Sequence, residues 1–290
     1  MAIGNKLVSA VILTWNRKDD LKETLERLRE QPYSPIEIIV VDNASTDGTD
    51  GMVRSSFPEV VYLPQKENRG IAGYNAGFMA ARGDYIVALD SDSHPEPEAM
   101  GRMVTLFEKN PTAGIVAFDV HASPGGKPIP EGAPVAEVAG YHGAGVGFRA
   151  EVFQKAGYWY EPFFLYFNEM DHALRALMAG YRIITSPAVR AVHRSSPVAR
   201  PSERGAYFYA RNALWVIWRH YPAREMFSAT AQFVWLAVSE SLYQRTGVYL
   251  RAVRDAFAAA PGVVRGRNPL PPNIFEKVRI PLHLVFTRFE

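Results

Sequence analysis

The stretch "VALDSDSH", residues 87–94, runs along an apolar strand and then sets Asp90, Ser91 and Asp92 in succession before Ser93 and His94. Alternate residues of an extended strand point to one side with α-carbons about 6.5 Å apart, so two carboxylates so spaced can address one divalent cation. Oxygen ligands suit Mg2+ or Mn2+, ions that keep waters and bind substrate phosphates, which makes a nucleoside diphosphate the natural third party. The plain structural alternative is that Asp92 or Ser93 caps the helix begun by "PEPEAMGRMVTLFEKN", with Pro95 or Pro97 in its first turn. Capping explains one carboxylate and leaves the other without a role.

A second acidic pair has the same spacing. In "FFLYFNEMDHALRALMAG", residues Phe163 to Phe167 form an apolar, aromatic wall, and Glu169 with Asp171 opens a helix whose Leu174, Leu177 and Met178 face inward. A helix N-terminus favours an ionised carboxylate, whereas aromatic surroundings raise its pKa by desolvation. The structural alternative is that both acids simply complement the helix dipole.

The elements that must position these groups alternate along the chain. "VSAVILT" reads as a buried strand and "KDDLKETLERLREQ" as a helix with Leu21, Leu25 and Leu28 on one face, capped by Asn16. "IEIIVVDN" is a second strand, followed by the turn formers "ASTDGT" and a short helix through about Ser56. "VVYLPQ", the helix "GYNAGFMAAR" and "DYIVALD" complete the series. Strands apolar on both faces and separated by helices predict an α/β fold with a parallel or mostly parallel sheet. Ligands collect outside the carboxyl ends of such strands. Thr14, Asn16 and Arg17 follow the first strand, Asp42, Asn43 and Asp47 the second, Asn68 and Arg69 the third, and Asp90 and Asp92 the fourth, so all are expected on one rim. Singly, Asn16, Asp42 and Asp47 also fit as turn or cap residues, and Gly70, Gly73 and Gly77 as sites of close helix packing.

Composition narrows the field. The 290 residues are 48% hydrophobic, enough for an enzyme-sized core, and 32 basic against 30 acidic residues leave a charge of +2, without the one-signed field of a nucleic-acid-binding protein. The absence of cysteine excludes disulfides and thiolate metal sites and fits a reducing compartment. Lys6 and the short apolar run to Leu13 do not make a secretion signal, and no stretch is apolar enough to predict a transmembrane helix. A phosphate loop ending in Lys and Ser or Thr is missing, as is G-x-G-x-x-G after the first strand, which disfavours nucleotide hydrolases and dinucleotide oxidoreductases.

"VILTWNR", "IIVVDNASTDGT", "ENRGIAGYNAGFMAARGDYIVALDSD" and "FFLYFNEMDHALRALMAGYRI", in this order, resemble the family 2 glycosyltransferases, and within them bacterial rhamnosyltransferase-like enzymes. The likeness covers about residues 6–200 and implies the GT-A nucleotide-sugar-binding fold over residues 1–200, with a mainly helical extension over 201–290. By this resemblance Thr14, Asn16 and Arg17 line the nucleotide pocket, and Asp42 bonds the base with Asn43 and Asp47 nearby. Asn68, Gly70 and Asn75 border the nucleotide sugar, with Ser91 between the acids of the D-x-D. Asp92 sits on the metal and Asp90 close to the ribose or the metal, and His193 completes the metal site, its imidazole favouring Mn2+ over Mg2+. On its own, His193 reads as a structural histidine. Glu169 takes the place of the catalytic carboxylate, and Asp171 is the alternative base, because Asn168 stands where an acidic residue often precedes it.

The resemblance implies inverting transfer of a sugar, with dTDP-rhamnose first and UDP- or GDP-sugars next as donors, to a glycan or lipid-linked acceptor of the cell envelope. The rival readings are a sugar-nucleotide pyrophosphorylase, whose Gly-rich N-terminal signature is missing, and a catalytically silent binding homologue. "ASPGGKPIPEGAP", residues 122–134, reads as a mobile loop, either a lid over the acceptor or a surface excursion. "GYHGAGVGFRAEVF" reads as a strand whose glycines admit close approach to the sugar, with His142 as a candidate acceptor contact. After residue 200, amphipathic helices rich in aromatics and arginine are expected to meet a membrane interface, to pair two chains as a homodimer, or to pack on the catalytic domain. Only "RNALW" stands where processive members carry Q-x-x-R-W, so transfer of a single sugar is expected. The expected location is the cytoplasm, peripherally at the inner face of the membrane.

Overall fold

A computed structural model describes residues 6–123, 132–194, 202–278, 280, 282, 285 and 286. Most of the 122–134 loop and the expected domain boundary at residue 200 thus lie outside the described residues. The chain runs β1 (Val8–Thr14), α1 (Lys18–Arg29), β2 (Ile36–Asp42), α2 (Thr49–Ser56), β3 (Val61–Pro64), α3 (Tyr74–Ala80), β4 (Tyr85–Asp90), β5 (Ser93–Pro95) and α4 (Ala99–Lys109). It continues through β6 (Ala113–His121), β7 (Ala136–Glu137), β8 (Val146–Arg149), α5 (Glu151–Ala156), α6 (Asn168–Met178) and β9 (Arg182–His193). Four helices follow, α7 (Glu203–His220), α8 (Ala223–Tyr243), α9 (Val248–Arg265) and α10 (Pro272–Val278).

The strands form one sheet in the order β3-β2-β1-β4-β8-β6-β9-β5, with β7 on β9. The first four strands in this order are parallel, as their apolar sequences predict, while β8 enters antiparallel between β4 and β6. In β1, Val8, Ala10, Val11 and Ile12 are fully buried, and full burial of a Val or Ile side chain contributes about 1.5–3 kcal/mol. This makes β1 the central strand of the parallel half. Register does the positioning: Thr14 pairs with Asp42 and Leu13 with Asp90, which brings three strand ends to one rim.

Several local expectations change. Asp92 and Ser93 do not cap α4, because Ser93–Pro95 pairs with β9 and the helix starts only at Ala99, after Glu98 at φ 65°. The glycine-rich run before β8 is a turn, and the strand proper begins at Val146. Asn16, at φ 52°, does not cap α1; its Oδ1 accepts from Thr46 N at 2.7 Å, and Asp47 from the next loop takes the Lys18 N–H at 2.8 Å.

The C-terminal helices pack on the sheet domain. Leu214, Ile217, Phe233 and Tyr249 share one core with Phe163, Phe167 and Leu174, so α7 lies against the segment that carries the second acidic pair. Among the described residues no helix is long and apolar enough to cross a membrane.

Candidate active site

At the carboxyl ends of β1 and β4 lies a cavity of about 500 Å3. Nine of the predicted site residues line it: Thr14, Arg17 and Asn43, Asn68 and Gly70, and the group Asp90, Ser91, Asp92 and His193. The antiparallel pairing of β5 with β9 sets Ser93 opposite His193, and Arg194 N donates to Asp92 O at 2.9 Å. That pairing explains how a histidine 101 positions later in the chain than Asp92 arrives beside it. Its Nε2 is 3.2 Å from Asp92 Oδ1 and 3.7 Å from Asp90 Oδ2, and one ligand atom from each of the three residues falls within a 4.8 Å set.

The charges around this triad are unbalanced. Burial, and then the like charge of Asp92, raise the pKa of Asp90. Burial alone would raise Asp92 too, but the His193 hydrogen bond and the Arg17 guanidinium, 2.8 Å from Oδ2, hold it below the usual carboxylate range. His193 is raised, chiefly by its hydrogen bond to Asp92. The Tyr74 hydroxyl shares its one proton between Leu89 O at 2.6 Å and Asp90 Oδ1 at 3.0 Å, which places it behind the carboxylate. Two carboxylate oxygens and an imidazole nitrogen converging in a polar cleft suit Mn2+ or Mg2+, and the imidazole tilts the set toward Mn2+. Thr14 Oγ1, buried without a hydrogen-bond partner in the cavity wall, is a further group that a bound ligand would satisfy.

Glu169 flanks the cavity rather than lining it. It sits in the first turn of α6 after Phe167, whose φ is 67°. A β-carbon at Gly143 would stand 2.7 Å from Glu169 Oε1, so the glycine before β8 makes room for this carboxylate. Burial, reinforced by the charge of Asp90 and opposed by a backbone N–H, pushes its pKa up to about 7. Desolvation therefore wins over the helix terminus.

Asp171 is a correction. Its side chain is completely buried, with Arg175 and Arg219 each 2.8 Å from its oxygens and His220 Nε2 at 2.8 Å. Burial would raise its pKa, but Arg175, and with it His220 and Arg219, hold it well below the usual range. A carboxylate so held is no proton acceptor for a substrate; it ties α6 to α7.

Other expected contacts turn out to build the walls. Asp42, 3% exposed, accepts from Ser45 N at 2.9 Å and from the Tyr62 hydroxyl, and it does not reach the cavity wall. Asp47 takes the N–H of Lys18 and both polar groups of Thr49. Asn75 is committed in both directions to the Trp159 backbone, at 2.9 and 3.0 Å, beside a different cavity. Asn43 donates to Gly70 O at 2.8 Å, and Asn68 accepts from Gly70 N at 2.8 Å. Gly70, at φ 59°, is required: a β-carbon there would stand 2.0 Å from Phe164 O. Sequence reading missed Trp15, Ser202, Arg204 and Gly205, which also line the cavity. A large aromatic directly after a buried strand was a usable signal for Trp15, whereas nothing in the pattern of α7 marks Arg204.

The sheet order and the acidic rim define a nucleotide-sugar-binding fold of the GT-A kind. The chain belongs to glycosyl transferase family 2, whose model matches residues 9–170, more than half of the chain. It is similar to the glucosyl-dolichyl phosphate glucuronosyltransferase of Haloferax volcanii, 29% identical over 175 residues, which cover 52% of this chain and 55% of the relative. It also resembles the UDP-Glc:alpha-D-GlcNAc-diphosphoundecaprenol beta-1,3-glucosyltransferase WfaP of Escherichia coli, 36% identical over 91 residues, 31% of this chain and 36% of that one. The match thus spans only about a third to a half of these curated relatives. Among solved structures, S. aureus TarS 1–349 in complex with UDP-GlcNAc superposes with a TM-score of 0.60 at 17% identity, covering 96% of this chain and 86% of that one. The mannosyltransferase PcManGT from Pyrobaculum calidifontis, in complex with GDP-Man and Mn2+, gives 0.58 at 22% identity, covering 88% and 75%. At these identities the likeness establishes the fold.

Proposed function

We propose that this chain is an inverting, metal-dependent glycosyltransferase that moves a sugar from a nucleotide-sugar donor to a hydroxyl of a cell-surface glycan or lipid-linked acceptor. The observation that carries the reading is the convergence of Asp90, Asp92 and His193 in one cavity, with Glu169 poised near neutrality beside it. The nucleotide lies along Thr14, Arg17 and Asn43, with its diphosphate toward the two aspartates. A divalent cation held by Asp90, Asp92 and His193 would supply Lewis-acid stabilisation of the departing diphosphate. Glu169 accepts the acceptor's hydroxyl proton as the new carbon–oxygen bond forms and the bond to the diphosphate breaks. One displacement with one base inverts the anomeric centre. The sheet domain, residues 1–200, and the helical part, 201–290, act as one unit through the core that α7 shares with α6.

The resemblance puts dTDP-rhamnose first among donors, while the solved neighbours hold UDP-GlcNAc and GDP-mannose. A thermal-shift screen with Mn2+ across these three ranks them: stabilisation by dTDP-rhamnose alone supports the rhamnose donor, and stabilisation by a UDP- or GDP-sugar alone removes it. Glu169→Gln should retain nucleotide binding and lose transfer, and Asp92→Asn should lose the Mn2+ dependence. Normal turnover by both variants would sink the reading.

On α8, Phe227, Trp235, Leu242 and Tyr243 are each at least 66% exposed. This apolar face supports peripheral contact with the inner face of the membrane, where a lipid-linked acceptor would be presented. Co-flotation with anionic vesicles tests it; a concentration-dependent dimer without flotation assigns the face to a second copy instead.

A further inference from the structure

The sequence "RNALW" matches no processive signature, yet Arg211 and Asn212 make a dense set of contacts inside the fold. Asn212 is fully buried, and its Nδ2 lies 3.0 Å from Phe163 O, 2.5 Å from Leu165 O and 3.1 Å from Tyr166 O. Its Oδ1 accepts from Arg211 Nε at 3.0 Å and Nη2 at 2.8 Å, which turns the amide so that its hydrogens face the loop. Arg211 Nη2 also reaches Pro162 O at 3.0 Å and Phe163 O at 2.9 Å, while its guanidinium rests 4.1 Å from the Trp215 ring centre.

The loop these donors gather is strained. Phe164, Tyr166 and Phe167 have φ values of 64°, 63° and 67°, in the left-handed region that bulky side chains rarely adopt. Converging carbonyls repel one another unless a donor lies between them, and strain of this kind persists only where the surroundings over-determine it. The loop leads straight into the catalytic carboxylate. Phe167 O accepts from Asp171 N at 2.9 Å to begin α6, with Glu169 between them, and Phe164 O accepts from Ile71 N at 2.8 Å on the nucleotide side.

We propose that Asn212, oriented by Arg211, is the positioning residue for Glu169: by holding the carbonyls of Phe163, Leu165 and Tyr166 it fixes the loop that leads into the carboxylate beside the cavity. The inference rests on Glu169 being the general base. It gives the C-terminal helical part a direct role in the chemistry, because α7 sets a residue of the sheet domain's site.

The test uses the full chain carrying Asn212→Ala. Hydrogen–deuterium exchange in peptides spanning 160–171 should accelerate about tenfold, the effect of losing hydrogen bonds, with β1 and β4 unchanged. Binding of UDP with Mn2+, measured by calorimetry, should weaken far less than turnover, by a few-fold at most, because Asn212 itself is not in the cavity wall although Leu165 and Tyr166 of the loop are. Turnover on the best donor of the screen should fall about 100-fold at unchanged donor KM, the cost of a small misplacement of a reacting group. The double variant Asn212→Ala, Glu169→Gln should be no slower than Glu169→Gln alone, a result that a merely stabilising role would not give. Should Asn212→Ala fail to fold, Arg211→Gln at the partly exposed neighbour should show the same pattern, with a loss of about tenfold. Unchanged exchange in 160–171, or a double variant slower by the product of the two single losses, overturns the proposal. A wild-type chain that transfers no sugar to any acceptor removes Glu169 as the base, and the catalytic role of Asn212 with it. Exchange in 160–171 then reports on the clamp alone, so the two failures remain distinct.

Discussion

Replacing Glu169 by Gln should stabilise the protein while abolishing transfer, and the gain should depend on pH. The carboxyl rises from the ordinary glutamate value of 4.5 to about 7, chiefly through burial. At about 1.4 kcal/mol per pH unit, this amounts to at most about 3 kcal/mol against the ionised form, less whatever solvent reaches a partly buried group. The folded chain binds this proton more tightly than the unfolded chain. Its contribution is therefore complete below pH 4.5 and is lost as pH rises towards 7. Glutamine has the same shape and never ionises. In metal-free buffer, urea unfolding should therefore show no advantage for Glu169→Gln near pH 4 and up to about 3 kcal/mol near pH 8. Kinetics should mirror this in direction: a protonated carboxyl accepts nothing, so the wild-type rate should fall as pH drops from 7 to 5. An equal stability gap at both pH values, together with a flat rate profile between pH 5 and 7, would refute the assignment.

Asp171→Asn should destabilise folding by about 3–5 kcal/mol in urea titrations, because it leaves the buried Arg219 and the partly buried Arg175 short of their counter-charge. In Gly143→Ala the new methyl would stand 2.7 Å from Glu169 Oε1. Turnover should drop about 100-fold with nucleotide binding intact, as separate rate and calorimetric measurements will show. Tyr74→Phe removes the hydroxyl behind Asp90. Titration of the thermal shift with Mn2+ should show an affinity about tenfold weaker, the effect of losing an outer partner of a metal ligand.

Much of the rim was legible in the sequence because parallel strands must end in loops on one side, and Thr14, Asp42 and Asp90 closed apolar runs of strand length. What those loop residues do was not legible. Asn16, Asp42, Asp47 and Asn75 carry the side chains expected of ligand contacts, yet each bonds a backbone or hydroxyl group of a neighbouring segment. A turn residue and a ligand contact draw on the same residue types, and only the tertiary partner separates them. His193 reaches Asp90 and Asp92 through a strand of three residues pairing with β9. Read by pattern, that strand was the start of a helix, since a proline suits the first turn of a helix and is tolerated on an edge strand such as β5. The clamp on Glu169 was hidden for a related reason: Asn212 lies in the middle of an amphipathic helix, where a polar residue ordinarily faces water, and its three acceptors lie more than 45 positions away.

The two acidic pairs show why spacing alone does not assign chemistry. Asp90 and Asp92 are separated by one residue, and so are Glu169 and Asp171. The first pair straddles the end of β4 and the turn into β5, where the backbone leaves both carboxylates on the cavity side within reach of His193. The second pair lies in a helix, where two positions amount to a rotation of about 200°, so one side chain must turn away from whatever the other faces. Glu169 lies beside the cavity, and Asp171 is driven into the α6–α7 interface, where it meets Arg175, Arg219 and His220. The separation is useful. Had both acids faced the cavity, each would have raised the other's pKa, and no group would hold α6 electrostatically from behind. The same spacing thus brings two carboxylates together with His193 at a strand end, and on a helix parts a carboxylate beside the cavity from one buried as an anchor.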